Sequence, residues 1–212
     1  METSGAPSEN VLCANQRGTL TAVLFVGGLS RRMGEDKATL QFDGEPLWVR
    51  QVQLLRELKP DVLWISARAR PIWCPSEIEV IADEPPSRGP LSGLAAALRK
   101  IQTSHLLALA IDMPRMNSDV LRRLWSLAKP GCGVVPVRGD LLEPLCAIYP
   151  AAAAANAAAA LRAGDEVSLQ IFVHALCREN RMRIHPLGES EQYFFQNVNT
   201  RCDLEACLSS HS

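Results

Sequence analysis

Thr21–Lys37 reads TAVLFVGGLSRRMGEDK, an apolar run that stops at two adjacent glycines and then turns basic. Thr21–Val26 is short, continuous and rich in β-branched and aromatic residues, the pattern of a strand buried on both faces of a parallel sheet. Gly27 and Gly28 let the backbone turn sharply and approach a ligand with no Cβ in the way. The N–H groups of such a loop can cradle phosphate oxygens, and Arg31, Arg32 and Lys37 add cations suited to a polyphosphate. Read alone, the stretch fits equally a glycine turn carrying a solvated basic loop. It is neither of the two commonest phosphate loops. G-x-G-x-x-G is absent, and the G-x-x-x-x-G-K-[ST] pattern fails because Lys37 lies three residues after Gly34 and precedes Ala38.

Outward from this stretch, strands and helices alternate. Trp48–Leu58 has helical apolar spacing stopped by Pro60. Val62–Ser66 (VLWIS) and Ile78–Ala82 (IEVIA) read as strands, and Gly89–Ile101 as a helix with small residues on its packing face. His105–Ile111 (HLLALAI) is the strongest strand, closed by Asp112-Met113-Pro114. Ser118–Ala128 follows as a helix with Ser118 as its N-cap. Gly133–Val137 and Pro144–Tyr149 read as strands joined across Arg138-Gly139-Asp140. The alanine-rich stretch Ala151–Gly164 is a helix with Pro150 in its first turn. A helix over Ser168–Cys177 and a strand near Arg181–His185 lead to the tail. The pattern predicts an α/β fold: a mostly parallel sheet with helices on both faces, one domain over 21–208, after a leader at 1–20 and before a flexible tail at 209–212.

A hydrophobic share of 47%, a charged share of 21% and a net charge of −1 are those of an ordinary globular protein and exclude a global affinity for nucleic acid or an anionic membrane. Seven cysteines include no C-x-x-C pair and four histidines no metal-ligand grouping, so zinc and a disulfide framework are not expected. The first twenty residues lack the apolar core of a secretory signal, and the expected location is cytoplasmic.

In an open parallel sheet the ligand lies beyond the carboxyl ends of the strands, which sorts the acids. Asp112 ends a strand, where its carboxylate suits Mg²⁺; it also suits a cap on the turn before Pro114. Asp83 ends IEVIA at the same edge, or is a loop acid before Pro85. Gly89-Pro90-Leu91-Ser92-Gly93 places a helix N-terminus there, favourable to anions.

FVGGLSRRMGEDK resembles the opening motif of the molybdenum cofactor guanylyltransferase family, approximately L-A-G-G-x-S-x-R-M-G-x-D-K, with Phe25 and Val26 in place of Leu-Ala. Four further blocks are similar to that family in the same order. Asp83 precedes G-P-L-x-G at Gly89–Gly93, and A-x-D-M-P falls at Ala110–Pro114. E-P-L-x-A-x-Y, which in that family lies on the pterin side of the cleft, falls at Glu143–Tyr149, and N-x-N-T at Asn197–Thr200 with Asp203-Leu204 beyond. The resemblance covers roughly Thr21 to Leu208.

The resemblance implies a three-layer αβα sandwich with a Rossmann-like sheet of nucleotide-diphospho-sugar-transferase type. It implies Mg²⁺-dependent transfer of GMP from GTP to the terminal phosphate of molybdopterin. Lys37, Arg32 and Asp112 would be catalytic, with Asp112 on the metal. Phe25, Val26, Gly27, Gly28, Lys37, Ser66, Asp83, Gly89 and Asp112 would meet the nucleotide, Ser66 standing where relatives often carry Asn. Asn197 and Asn199 would lie on the pterin side. GTP and molybdopterin are the implied partners, with transient contact to molybdoenzymes or other cofactor-biosynthesis proteins and none to nucleic acid or membrane. The competing readings are a cytidylyltransferase making the cytosine form of the same cofactor, a more distant sugar-nucleotide pyrophosphorylase, and a non-catalytic GTP-binding adaptor. Retention of both Lys37 and Asp112 argues against the adaptor.

Overall fold

The computed structural model describes residues 18–27, 36–83, 89–163 and 168–209, the side chain of Arg201 excepted. Strand β1 (Leu20–Phe25) is buried along its whole length because its two faces enter two different cores. Ala22 and Leu24 face one core, while Val23 and Phe25 face the other. This is the period-2 consequence of a strand covered on both sides. β4 (Val62–Ser66), β5 (Glu79–Ile81) and β6 (His105–Ala110) continue the parallel part of the sheet.

Among the described residues the sheet has eight strands. Its main path runs β10 (Met182–Pro186), β7 (Gly133–Arg138), β9 (Cys146–Pro150), β6, β1, β4, β5, with β8 (Leu141–Leu142) hairpinned onto β7. β9 is antiparallel to both β6 and β7, so β7 and β10 run in the same direction as β6 and their carboxyl ends share one edge. A small hairpin of β2 (Gln41–Phe42) and β3 (Glu45–Pro46), with Asp43 and Gly44 at positive φ in its turn, lies apart from the sheet.

One face of the sheet is covered by α1 (Leu47–Glu57), α3 (Ser118–Leu127) and the tail helix α7 (Arg201–Ser209). The other carries α2 (Pro90–Lys100), α4 (Ala153–Arg162) and α5 (Leu169–Arg178). The small residues of α2 face inward: Ser92, Gly93, Ala95 and Ala97 are buried. α4 buries Ala153 and Ala157, one turn apart, in the same core. Fully buried Leu107 and Leu109 on β6 illustrate how tightly the layers fit; truncating either to Ala would cost about 2–5 kcal/mol. The expected three-layer αβα sandwich with a mostly parallel sheet is what forms. A short helix α6 (Glu189–Gln192) precedes the tail.

Three local expectations are corrected. Pro150 ends β9, paired with His105, and α4 starts only at Ala153. Pairing with β6 therefore outweighs the helix preference of the alanine run. The N-cap of α3 is Asn117, whose side chain accepts from Val120 N, so Ser118 is already helical. β7 does not run directly into β9: the turn at Gly139 and Asp140 joins it to the short β8. Among the described residues no helix is long and apolar enough to cross a membrane. No disulfide joins any two of the six described cysteines.

Candidate active site

The carboxyl edge is held together by backbone bonds that continue past the strands. Val26 N donates to Ser66 O at 3.1 Å, Ile111 N to Phe25 O at 3.0 Å, and Ala67 N to Ile81 O at 3.1 Å. The residues following β1, β4 and β6 are therefore fixed relative to one another where a ligand would sit.

Asp112 is the first residue beyond this ladder on the β6 side. The loop that carries it is tied to α1 through two carbonyls. Arg50 Nε donates to Pro114 O at 2.7 Å, and the fully buried Gln51 donates through Nε2 to Met113 O at 2.6 Å. Burial pushes the Asp112 carboxyl above the ordinary carboxylate range, and the nearby Lys37 ammonium pulls the other way. Lys37 Nζ is 3.6 Å from Asp112 Oδ2 and donates to Asn199 Oδ1 at 2.8 Å.

Lys37 is aimed by its neighbour. Asp36 caps the 3₁₀ turn Lys37–Thr39, accepting from Ala38 N through Oδ1 at 3.0 Å and from Trp73 Nε1 through Oδ2 at 2.8 Å. Trp73 in turn stacks on Trp48 at 5.3 Å between ring centroids. The acid of the Asp36-Lys37 pair is thus an anchor for the lysine's backbone.

Asn199 is aimed by the start of α7. Asp203 Oδ2 accepts from the N–H groups of Asn199 and Thr200, each at 2.8 Å, while Thr200 Oγ1 accepts from Asp203 N at 3.1 Å. This reciprocal arrangement is a capping box. The donated N–H groups, that of Asn199 foremost, hold the Asp203 carboxyl below its usual range. Val198 N donates to Asp112 O at 2.8 Å, so the Asn197–Thr200 block is bonded directly to the Asp112 loop. Asn197 is exposed beside it.

A second cluster surrounds Gly93 on α2. A Cβ there would fall 2.6 Å from Ser66 Oγ, 2.9 Å from Asp83 Oδ1 and 3.4 Å from Phe25 Cε1. Only glycine lets α2 come this close, and the contact brings Phe25, Ser66 and Asp83 together. Gly89 precedes α2 at φ +72, a conformation that favours glycine. Gly27 is exposed at the end of β1 and Val26 is partly buried against the core. Gly28, Arg31 and Arg32 lie outside the described residues.

On the other side of Asp112 stands Glu143, 5% exposed. Burial raises its carboxyl above the ordinary range, Arg138 opposes this, and the Asp112 charge adds to it. Arg138 Nη2 is 3.0 Å from Glu143 Oε1. Sequence reasoning placed Glu143 in a family block without assigning it a partner, and it passed over Asp36, Gln51 and Asp203 as supports. Of these only Asp203, at the fourth position of a T-x-x-D capping pattern, left a local signal. Among the described residues no group of three His, Cys, Asp or Glu side chains gathers to hold a metal by itself.

The sequence and the fold have counterparts among known proteins. A protein of Opitutus terrae named probable molybdenum cofactor guanylyltransferase is 39% identical over 196 residues, covering 91% of this chain and 96% of its own. The molybdenum cofactor guanylyltransferase of Cereibacter sphaeroides is 37% identical over 155 residues, covering 69% of this chain and 77% of its own. The crystal structure of molybdopterin-guanine dinucleotide biosynthesis protein A from Archaeoglobus fulgidus superposes with a TM-score of 0.68 at 25% identity, covering 90% of this chain and 98% of that one. Residues 22–179 match the family described as the MobA-like NTP transferase domain. The chain belongs to the MobA-like NTP transferase family and has its nucleotidyltransferase fold.

Proposed function

We propose that this chain transfers guanylate from GTP to the terminal phosphate of molybdopterin with release of pyrophosphate. The observation that carries the reading is the convergence of Lys37, Asp112 and Asn199 at the carboxyl edge of the sheet. Relatives named for this activity support it.

An oxygen of the acceptor phosphate attacks the α-phosphorus of GTP. The bond from that phosphorus to the bridging oxygen breaks, and its electron pair leaves with pyrophosphate. A phosphate oxyanion is already a nucleophile at neutral pH, so no general base is required. What remains for the protein is to align two anions and to neutralise charge on the leaving group. Lys37 and Arg32 take phosphate oxygens, and the Gly27-Gly28 backbone follows the nucleotide. Phe25, Val26, Ser66, Asp83 and Gly89 bound the nucleoside. Asn197 and Asn199 lie where the acceptor arrives.

Asp112 suits Mg²⁺ by the chemistry of its surroundings. Burial disfavours its charge, a divalent cation would offset that, and Mg²⁺ asks of a protein only one or two carboxylates beside substrate phosphates. When bound, the ion would neutralise phosphate charge beside the ammonium of Lys37.

The guanine preference rests on the Gly89–Gly93 and Asn197–Thr200 blocks. A site built to pair with guanine's polar edge leaves its groups unpaired against cytosine, a large penalty where water is excluded. We place the reaction in the cytoplasm, with transient contacts to molybdoenzymes passing on the product. Incubation with molybdopterin, Mg²⁺ and each nucleoside triphosphate separately, with product identification, tests the reading. Absence of any dinucleotide product would refute it.

A further inference from the structure

Transfer between two phosphates sets a problem that Lys37 and Asp112 do not solve. They address the nucleotide, while the acceptor's phosphate monoester brings a second dense negative charge to the same spot. Something on the far side of Asp112 has to receive it.

The sheet topology says where to look. β7 runs in the direction of β6, so Arg138 at its carboxyl end stands on the edge that carries Asp112. The segment leading into β9 fills the space between them and is pinned throughout. Glu143 N donates to Pro136 O at 2.9 Å, Cys146 N to Glu143 O at 3.0 Å, and Ala110 N to Leu145 O at 2.7 Å. The fully buried Tyr149 donates its hydroxyl to Pro144 O at 2.7 Å. Glu143 therefore sits on a turn with little freedom to move.

A carboxylate buried this deeply is costly unless paired. Its partner is Arg138, at 3.0 Å, and the two side chains are very unequally covered: 6% exposed for Glu143 and 34% for Arg138. A guanidinium carries five N–H donors in a planar fork. The ion pair lies on the buried side, while a third of the arginine still reaches solvent. An arginine held in place by a fixed carboxylate is suited to take a phosphate in two-point fashion without ordering a free chain first.

We propose that Arg138 is the cation that receives the terminal phosphate of the acceptor, and that Glu143 is the positioning residue that presents it. This rests on the transferase reading above and deepens it. It assigns the acceptor subsite to the β7–β9 side of Asp112, opposite the Gly93 cluster on α2. If the pair served only to fasten the β7–β8 hairpin, its loss would lower stability and leave the two substrates' affinities in their original ratio.

The test is equilibrium dialysis of the full chain with molybdopterin and, separately, with GTP. It compares the wild type with Arg138→Lys, Arg138→Met and the double variant Arg138→Met/Glu143→Gln, the last avoiding an unpaired buried carboxylate. The expected result is molybdopterin binding weakened tenfold or more in both Met variants, partly rescued in Arg138→Lys, with GTP binding within twofold of wild type throughout. Dephosphorylated pterin should bind all four proteins alike. Unchanged molybdopterin binding in the double variant, an equal loss for GTP, or a wild type that binds no molybdopterin would each overturn the assignment. Guanylate transfer is scored in parallel on the wild type. Its absence would sink the proposed reaction, while the dialysis would still read whether Arg138 holds the phosphate.

Discussion

Lys37 Nζ donates to Asn199 Oδ1 at 2.8 Å, joining residues 162 positions apart in the chain. The bond closes a ring around the carboxyl edge of the sheet. The lysine follows the glycine loop, the asparagine precedes the tail helix, and Asp112 lies between them, 3.6 Å from the same ammonium. A triphosphate entering here would meet a lysine already held by one neutral and one charged partner, so little reorganisation is left for the moment of reaction.

Lys37→Ala and Asp112→Ala should fold and lose turnover. Neither side chain fills the apolar core, and in the proposed reaction each acts on phosphate charge or metal. Loss of one such contact lowers the rate by about 10²–10³. Circular dichroism with a steady-state assay at saturating Mg²⁺ checks both. A near-normal rate in either variant removes that residue from the site.

Asp203 is half-buried, and its carboxylate fixes the backbone of Asn199 and Thr200. Asp203→Ala should leave the melting temperature close to wild type and reduce kcat by up to about 10²-fold, the scale of a misplaced site group. Asp203→Asn, which keeps an acceptor, should fall between. An alanine variant with full kcat would show that Asn199 needs no such support.

How far the site could be read from sequence depended on how local its causes are. The strand ends bearing Asp83 and Asp112 follow from apolar runs that stop abruptly, and a parallel sheet forces such ends to one edge. The supports were hidden because their partners are far away in sequence. Nothing near Gln51 announces that it holds Met113 O, and nothing near Trp73 that it holds Asp36. Arg138 read as a turn residue because its carboxylate arrives only after an intervening strand. The alanine run was placed two residues early for a similar reason: Pro150 pairs with His105, a contact invisible to local propensity.

His105 gives the fold a defined acid sensitivity. Burial holds its imidazole below the ordinary 6.5. The unfolded chain therefore takes up this proton before the folded one, and stability falls as pH drops through 6.5 toward the folded value. His105→Gln should flatten the melting temperature between pH 7.5 and 5.5 relative to wild type. Parallel curves for the two proteins would contradict the assignment.

The chain can be shortened at its start only to a definite point. Thr19 already belongs to the fold: its Oγ1 accepts from Ser104 N at 2.9 Å, and its carbonyl accepts from Ser104 Oγ and His105 N. A chain beginning at Gly18 should melt with the full-length protein. One beginning at Thr21 also loses Leu20, 4% exposed, worth about 1.5–3 kcal/mol, and at roughly 2–4 °C per kcal/mol should melt several degrees lower. Equal melting of the two truncations would show that the first strand begins later.

Competition between two nucleotides tests guanylate transfer by this chain. The full chain is incubated with molybdopterin, Mg²⁺ and equimolar GTP and CTP, and the dinucleotide product is read by mass spectrometry. The expected product is overwhelmingly the guanine dinucleotide, formed with one pyrophosphate per turnover and abolished in Lys37→Ala. A predominantly cytidylylated product would contradict the guanine assignment and point to the proposed base contacts of Phe25 and Val26, while no product with either nucleotide would contradict the transferase itself.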